Sequence, residues 1–358
     1  MNWTDRRLCD LFDIDHPIIQ APMAGATTPE MAAAAANAGV LGSLGCAMYP
    51  AEKLNEVTHA TQGLTNRAIN LNFFVHDDPA DDAGKAAQAT QRLQRWYDRL
   101  EAGDMPEAKP THFPFNAELC EAVLQLSPKV ASFHFGLPDE ALVASLKEQG
   151  IVILSSATTV AEAKWLEQRG VDAVIAQGYE AGGHSGWFLP RGPANTAGTM
   201  ALVPRMVDAV SVPVIAAGGI TDGRGIAAAL MLGAAGVQIG TAFLATPECM
   251  ASDAHKQALL SASGDDTMIS KAFSGRNARS LVNDYAAEMD TVTEWPDFPL
   301  MNTLTGPLRG ASAKQGKPDA IALWSGQAVG LMREETTIEV IERLVAETAA
   351  VLGEPKLQ

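Results

Sequence analysis

The sequence predicts a parallel α/β fold that closes into a (β/α)8 TIM barrel. Short apolar segments alternate with helical stretches along most of the 358 residues, and eight such segments are present. Continuous apolar runs of this length are typical of strands buried on both faces of a parallel sheet. Glycines and polar side chains cluster where these runs end, which is where barrel enzymes bind their ligands. An open doubly wound sheet is the competing architecture.

The predicted strands and helices follow one another in regular order. The strands are predicted at 17–23, 40–45, 68–74, 129–136, 151–157, 173–176, 213–220 and 236–243. Helices are predicted from Pro29 through the alanine run that follows it, and at 51–60, 83–101, 116–126, 138–149, 159–169, 200–210, 223–232 and 336–352. The barrel is expected to span 1–245, with an irregular insertion at 77–128. Residues 246–358 are expected to form a helical C-terminal region packed on the barrel, or a small subdomain that forms a lid.

Composition excludes several classes of partner. The net charge is −16, which argues against nucleic acid or an anionic membrane surface, because both require a basic face. The uncharged stretches 31–51 and 225–247 are interrupted by glycines, so each predicts a helix, a turn and a strand rather than a membrane span. Four distant cysteines without a C-x-x-C pair fit a reducing compartment. We therefore expect a cytoplasmic protein.

The most informative stretch is 173–186, AVIAQGYEAGGHSG, in which a buried strand opens into a glycine-rich loop carrying His184. The sequence contains no H-E-x-x-H motif, no zinc-type cysteine or histidine cluster and no P-loop, so no metal site is predicted. A single histidine at a strand end then favours proton transfer or anion binding. The alternative is a surface turn in which His184 is incidental.

Two further glycine-containing stretches follow the seventh and eighth predicted strands. Gly218-Gly219 ends the seventh strand, and 238–241 lies in the eighth. Barrels commonly bind phosphate with loop N–H groups at this position, although Gly218-Gly219 is alternatively only a tight turn. The match of 223–228 to G-x-G-x-x-A lacks the acidic residue that a dinucleotide site needs at the end of the next strand. A phosphate site is therefore favoured over a dinucleotide fold.

Polar or unusual residues also end other strands. Pro22 and Met23 end the first strand, Asn72 lies in the third, and Gln177 follows the sixth. His134 lies between two phenylalanines at the end of the fourth strand, so it is either a core histidine or a site residue.

The motifs PIIQAPM, AQGYEAGGHSG, PVIAAGGI and VQIGTAF, in this order, resemble those of the nitronate monooxygenases, formerly called 2-nitropropane dioxygenases. The likeness covers 15–245 and extends loosely into KAFSGRNAR and ALWSGQ, and the glycine–glycine–histidine loop is similar to that of the nitronate-oxidising class I. The resemblance implies a barrel that binds FMN across the strand ends. It also implies oxidation of alkyl nitronates such as propionate 3-nitronate, and of nitroalkanes, with O2 to a carbonyl compound and nitrite.

The resemblance further implies the site residues. His184 is expected to bind the nitro group and to act as base. The expected cofactor-binding residues are Pro22, Met23, Asn72, Gln177, Gly182, Gly218, Gly219, Gln238, Ile239, Gly240 and Thr241. Where such enzymes often carry tyrosines, this sequence has Phe113 and Phe298, which affects the expected shape of the substrate site.

Two other functions stay open at this point. An NAD(P)H-dependent flavin reductase acting on quinones or an enoyl thioester would use the same barrel, although no nicotinamide-binding motif is present. A non-catalytic flavin-binding protein would leave His184 as a loop residue. A monomer or a homodimer is expected.

Overall fold

A computed structural model describes residues 3–79, 82–111, 113–190 and 196–353 of the chain. The end of the predicted C-terminal region, 354–358, lies outside the described residues. The strands are β1 (Ile18–Gln20), β2 (Gly42–Gly45), β3 (Ile69–Phe74), β4 (Val130–His134), β5 (Val152–Ala157), β6 (Ala173–Gln177), β7 (Gly183–His184), β8 (Val214–Ala217), β9 (Gly236–Ile239), β10 (Thr267–Ser270) and β11 (Ala278–Leu281). The helices are α1 (Arg7–Phe12), α2 (Pro29–Asn37), α3 (Ala51–Leu64), α4 (Ala83–Leu100), α5 (Ala117–Leu126), α6 (Glu140–Glu148), α7 (Val160–Gln168), α8 (Thr199–Val207), α9 (Gly223–Met231), α10 (Asp253–Ser261), α11 (Asp284–Met289), α12 (Leu300–Lys314) and α13 (Thr337–Val351).

Eight parallel strands form the barrel in the order β1-β9-β8-β6-β5-β4-β3-β2. A parallel bridge between Ile19 and Leu41 joins β1 to β2 and closes the sheet on itself. The N–H of Gln20 donates to the carbonyl of Leu41 at 3.0 Å across this seam. The predicted closed barrel is therefore confirmed, and the open sheet is excluded. The predicted seventh and eighth strands are β8 and β9.

Several strands are shorter than the sequence predicts. The segment predicted to continue the eighth strand to residue 243 instead turns after Ile239 into a 3-10 helix, Thr241–Phe243. The N–H of Phe243 donates back to the carbonyl of Gly240 at 2.9 Å, which commits this backbone to a turn. The seventh strand likewise ends at Ala217, because Gly218 and Gly219 adopt positive φ angles of 105° and 72°. The residues that follow both strands are still largely apolar, which is why the sequence predicts longer strands. Their turn conformation is what ends each strand.

The N-terminal end of the barrel is closed by α1. Leu8 and Phe12 of this helix are fully buried against the first residues of β4, β5 and β6. The barrel interior above them is filled by apolar side chains that include Ile19, Ile175 and Ile215. Because this end is filled, only the C-terminal ends of the strands remain to form a binding site.

A ring of helices surrounds the barrel, and α13 belongs to it. The last helix packs against both α9 and α2, the position of the helix that follows the eighth strand. A capping box between Thr336 and Glu339 begins this helix. The predicted C-terminal region thus contributes one helix to the ring, while the division of the chain at residue 245 stays a prediction.

Helix α4 of the predicted insertion shares a second hydrophobic core with α11 and α12 of the C-terminal region. Trp96 and Tyr97 of α4 pack with Tyr285 of α11 and with Met301 and Leu304 of α12. The hydroxyl of Tyr97 donates to the carbonyl of Leu304 at 2.6 Å. This second core holds α12 beside the C-terminal end of the barrel. Among the described residues, no helix is both long and apolar enough to cross a membrane.

Candidate active site

A cavity of about 390 Å³ lies at the C-terminal end of the barrel. This volume is in the usual range for a small-molecule or cofactor site. All the predicted site residues except Ile239 line it: His184, Pro22, Met23, Asn72, Gln177, Gly182, Gly218, Gly219, Gln238, Gly240 and Thr241. The side chain of Ile239 is buried in the hydrophobic core between the barrel and its helices.

His184 lies on a short strand rather than on an open loop. The pair Gly183–His184 forms β7, which runs antiparallel to β11 so that His184 lies opposite Ala278. The N–H of Ser185 donates to the carbonyl of Asn277 at 2.8 Å and continues the ladder. Residues that the sequence places almost a hundred positions apart therefore fix the backbone of the predicted catalytic residue.

Two side chains hold the carbonyl of His184. The Nε2 of Gln177 donates to it at 2.9 Å, and the Nε2 of His134 lies 3.1 Å from it. The Oε1 of Gln177 also accepts from the N–H of Gly186 at 2.7 Å. Both ends of the Gln177 amide are thus engaged by the loop. The structure shows Gln177 supporting the His184 loop at the edge of the cavity, and its expected contact with the flavin stays a prediction.

His134 is a second support, which answers the question that the sequence left open. Because a carbonyl only accepts hydrogen bonds, Nε2 of His134 carries a proton, and Nδ1 lies 2.5 Å from the hydroxyl of Ser156. Burial, and to a lesser extent the positive charge of Arg276, lowers the pKa of His134 to about 4. His134 is therefore neutral at physiological pH and acts through His184 rather than as an acid.

The imidazole of His184 lies among aromatic rings. Its centroid is 5.4 Å from those of Phe298 and Trp324 and 6.0 Å from that of Phe74. Its Nε2 lies 2.8 Å from the hydroxyl of Ser274. Phe298 thus occupies one of the two positions where the resemblance expects tyrosine. Phe113, the other, is 63% exposed and does not line the cavity.

Asn72 and Gln238 present carboxamides to the cavity. The Nδ2 of Asn72 donates to the carbonyl and the hydroxyl of Ser132, at 3.2 and 2.9 Å. Its Oδ1 accepts no hydrogen bond from the described residues. The Oε1 of Gln238 is buried and has no hydrogen-bond partner among them. A buried polar atom without a partner costs free energy unless a ligand satisfies it, so the amide of Gln238 points to a polar ligand.

The glycines after β8 and β9 form the other end of the cavity. The backbone N–H groups of Gly219 and Gly240 donate to no acceptor among the described residues. The nearby start of α9 is already capped, because the carboxylate of Asp222 accepts from the N–H groups of Arg224 and Gly225. A phosphate at this end would therefore be bound by the loop N–H groups and not by the start of α9.

Apart from Phe298, which the resemblance relates to the substrate site, the sequence did not identify the part of the cavity wall that comes from beyond residue 245. It includes His255, Phe298, Asn302, Arg309, Trp324 and Gly326. The N–H of Gly326 donates to Oγ1 of Thr241 at 3.0 Å. A Cβ on Gly182 would lie only 2.5 Å from the nitrogen of Gly326, so glycine is required at 182. The motif ALWSGQ, which contains Trp324 and Gly326, resembles the family, but the sequence does not indicate that it faces the barrel.

His255 should make stability depend on pH. Burial lowers its pKa to about 4, whereas an unfolded histidine titrates at about 6.5. The unfolded chain therefore binds the proton more tightly, and the stabilisation present above about pH 6.5 is lost as pH falls toward 4. We expect this residue to lower the free energy of unfolding by about 2 kcal/mol between pH 7.5 and pH 5.

Denaturant unfolding at both pH values tests this expectation. The loss on acidification should be about 2 kcal/mol smaller in His255→Gln than in the unsubstituted protein. His59→Gln is the matched control, since His59 is exposed on α3. An equal loss in His255→Gln and in the unsubstituted protein would show that His255 does not titrate as stated.

Among the described residues, no group of three or more histidine, cysteine, aspartate or glutamate side chains is arranged to hold a metal ion. The cavity is lined instead by three histidines (His134, His184 and His255), Arg309, neutral amides, glycine N–H groups and aromatic rings.

Comparison with known proteins agrees with this arrangement. A family model described as nitronate monooxygenase matches residues 5–347. Proteins named "Probable nitronate monooxygenase" from Staphylococcus aureus strains MSSA476 and MRSA252 are 37% identical over 348 residues, covering 96% of this chain and 97% of the relative.

Solved structures extend the comparison. A nitroalkane oxidase from Streptomyces ansochromogenes superposes with a TM-score of 0.90 at 37% identity, covering 97% of this chain and 99% of the other. FabK from Thermotoga maritima is more distant, with a TM-score of 0.75, 27% identity and 98% coverage of both chains. Matches of this extent cover the barrel, the histidine strand and the C-terminal helices together, and the chain belongs to the nitronate monooxygenase family of oxidoreductases, whose members are generally flavin-dependent.

Proposed function

We propose that this protein is an FMN-dependent nitronate monooxygenase that oxidises alkyl nitronates, such as propionate 3-nitronate, and also neutral nitroalkanes. The products are a carbonyl compound and nitrite, with O2 as co-substrate. The observation that carries the proposal is His184, held by its backbone in an aromatic wall of a cavity whose other end offers glycine N–H groups. This combines a proton acceptor and an anion site in one cavity.

The residues present fit FMN. The N–H groups of Gly219 and Gly240 lack acceptors among the described residues, which suits a terminal phosphate. The buried Oε1 of Gln238 lacks a donor there as well, which suits a hydroxyl or a ring N–H. Asn72 and Met23 would lie beside the ring system. When bound, FMN supplies the acceptor for electrons that leave the nitronate carbon.

Ser274 is the neighbour from which we infer the proton position on His184. We assign the proton to Nε2, because the hydroxyl of Ser274, 2.8 Å away, accepts it while donating to the carbonyl of Arg276 at 3.2 Å. Nδ1 is then the nitrogen that accepts a proton from the carbon of a neutral nitroalkane. The surrounding rings lower the local polarity, which strengthens hydrogen bonds between the imidazole and the nitro oxygens.

The choice of electron donor tests the proposal against the flavin reductase alternative. Purified protein is mixed anaerobically with propionate 3-nitronate, and separately with NADH, while the flavin absorbance is recorded. We expect nitronate to bleach the flavin rapidly and NADH to do so slowly or not at all. Rapid reduction by NADH with no reaction of nitronate would instead assign the protein as a flavin reductase, which the likeness to FabK makes the relevant alternative.

All four cysteines are free and buried, which supports a cytoplasmic location. A monomer or a homodimer remains our expectation for the oligomeric state.

A further inference from the structure

Arg309 is a partly buried cation that lines the cavity, with its Nε fully buried and no carboxylate to neutralise it. It lies in the second half of α12 and lines the cavity together with Asn302, which is two turns earlier in the same helix. Among the described residues, Arg309 forms no ion pair with a carboxylate, and its hydrogen bonds go to Asn302. Buried charges in proteins are normally paired or bound to a ligand, because isolated burial is costly.

The hydrogen bonds of Arg309 use one of its three nitrogens. Its Nη2 donates to the carbonyl and to Oδ1 of Asn302, at 3.0 and 2.9 Å. Its Nε is buried with no partner in the described part of the chain, and Nη1 donates to no acceptor there. The contact with Asn302 fixes the direction of the guanidinium and leaves donors for another group.

Arg309 keeps its positive charge at physiological pH. Burial lowers the pKa of Arg309 to about 10, and the ionisable group that acts on it is the hydroxyl of Tyr285. That phenol is itself buried, donates to the carbonyl of Ala272 at 2.9 Å, and is neutral at physiological pH. Arg309 therefore remains a cation with no compensating negative charge among the described residues.

The position of Arg309 places it at the substrate end of the cavity. Phe298 lies just before the start of α12, the helix that carries Asn302 and Arg309, and its ring is 5.4 Å from that of His184. The glycine N–H groups after β8 and β9, which suit a phosphate, belong to other elements. Arg309 thus lines the cavity from the segment that also supplies Phe298, the neighbour of His184.

We propose that Arg309, oriented by Asn302, binds the carboxylate of the substrate, so that the enzyme prefers nitronates that carry a second negative charge. Arginine suits this task because its planar fork matches a carboxylate with two parallel hydrogen bonds. Such a pair also offsets the repulsion between a dianion and a protein of net charge −16. The inference rests on the proposed function and assigns the specificity residue within it.

The unsubstituted enzyme provides the first test. Steady-state kinetics compare propionate 3-nitronate with propyl-1-nitronate, in which a methyl group replaces the carboxylate. We expect the KM for the carboxylated substrate to be about 10- to 100-fold lower, the range of one desolvated charged hydrogen-bonded pair. Equal KM values for the two nitronates would overturn the inference, whereas failure of both to react would overturn the proposed function instead.

Variants at residue 309 provide the second test. Arg309→Met should raise the KM for propionate 3-nitronate by about 10- to 100-fold and leave that for propyl-1-nitronate within about twofold. Arg309→Lys, which keeps the charge but loses the fork, should fall between the two. Lys314→Met removes an exposed charge from the same helix and is the matched control.

Ligand binding gives a readout that does not depend on turnover. Anaerobic calorimetry with 3-nitropropionate should show binding to the unsubstituted holoenzyme and about 10- to 100-fold weaker binding to Arg309→Met. Flavin content is measured in each variant. Loss of FMN from both Arg309 variants would show that the guanidinium binds the cofactor, and equal losses on both nitronates would show a purely structural contribution to α12. Either result would overturn the inference.

Discussion

Replacing His184 with asparagine is expected to reduce the oxidation of neutral nitroalkanes by about 10²–10⁴-fold, the usual contribution of a positioned base. Asparagine keeps a hydrogen-bond donor of similar size but cannot accept a proton from carbon. Preformed nitronates need no deprotonation, so the variant should retain a larger share of its activity on them. The ratio of kcat/KM values for nitroethane and ethylnitronate separates the two contributions.

The structure provides controls for this substitution. The backbone of His184 is held by β11, Gln177 and His134, so the loop should keep its position when the side chain changes. His59→Asn changes an exposed histidine on α3 and should leave both activities unaltered. FMN content should be unchanged in either variant. Equal losses on the two substrates would show that His184 binds the anion without acting as base, and no loss would make it an incidental residue.

Replacing Gly219 with valine is expected to weaken FMN binding by about 100-fold or more, the range for loss of one or two hydrogen bonds to a charged group. Gly219 has φ +72°, which side-chain-bearing residues rarely adopt. The new Cβ would also lie 3.3 Å from Cβ of Glu180. FMN binding is therefore expected to weaken because the substitution displaces the backbone N–H of residue 219 and the loop that carries Glu180.

A second glycine separates this local effect from general backbone strain. Gly150 has φ +80° and is exposed, and a Cβ at this position would meet no atom within 4 Å. Gly150→Val should lower stability by about 1–2 kcal/mol, the ordinary cost of the left-handed region, and keep its affinity for FMN. Titration of each apoprotein with FMN, followed by fluorescence quenching, gives the dissociation constants. Unaltered FMN affinity in Gly219→Val would exclude this loop from the phosphate site.

Much of the fold could be predicted from the sequence because its signals are local. Each barrel strand is a short apolar run such as 173–176, and burial on both faces requires that composition wherever the strand lies. Helix starts carry equally local signals, such as Thr28 before Pro29, where the threonine side chain accepts from the N–H of Met31. His184, Gly218 and Gly219 could be singled out because they follow such strands directly.

Which helices and strands pack against one another could not be predicted in the same way. Helices α4 and α13 are predicted from the sequence, but the sequence pattern names the packing partner of neither, and α12 was not predicted as a helix. The structure pairs α13 with α2 and α9, and α4 with α12. It likewise pairs His184 with Ala278 on a strand from the far end of the chain. Such pairings depend on the shapes of surfaces that exist only after the barrel has closed.

The sequence by itself determined the barrel, the polar ends of its strands and the histidine that follows the sixth of them, because backbone burial and turn chemistry act within a few residues. Only the tertiary structure decided that Gln177 and His134 support His184, and that Arg309 and His255 face the same cavity. The physical reason is that a side chain's pKa, its unpaired donors and its ligand are set by neighbours in space, which long loops bring from distant parts of the chain.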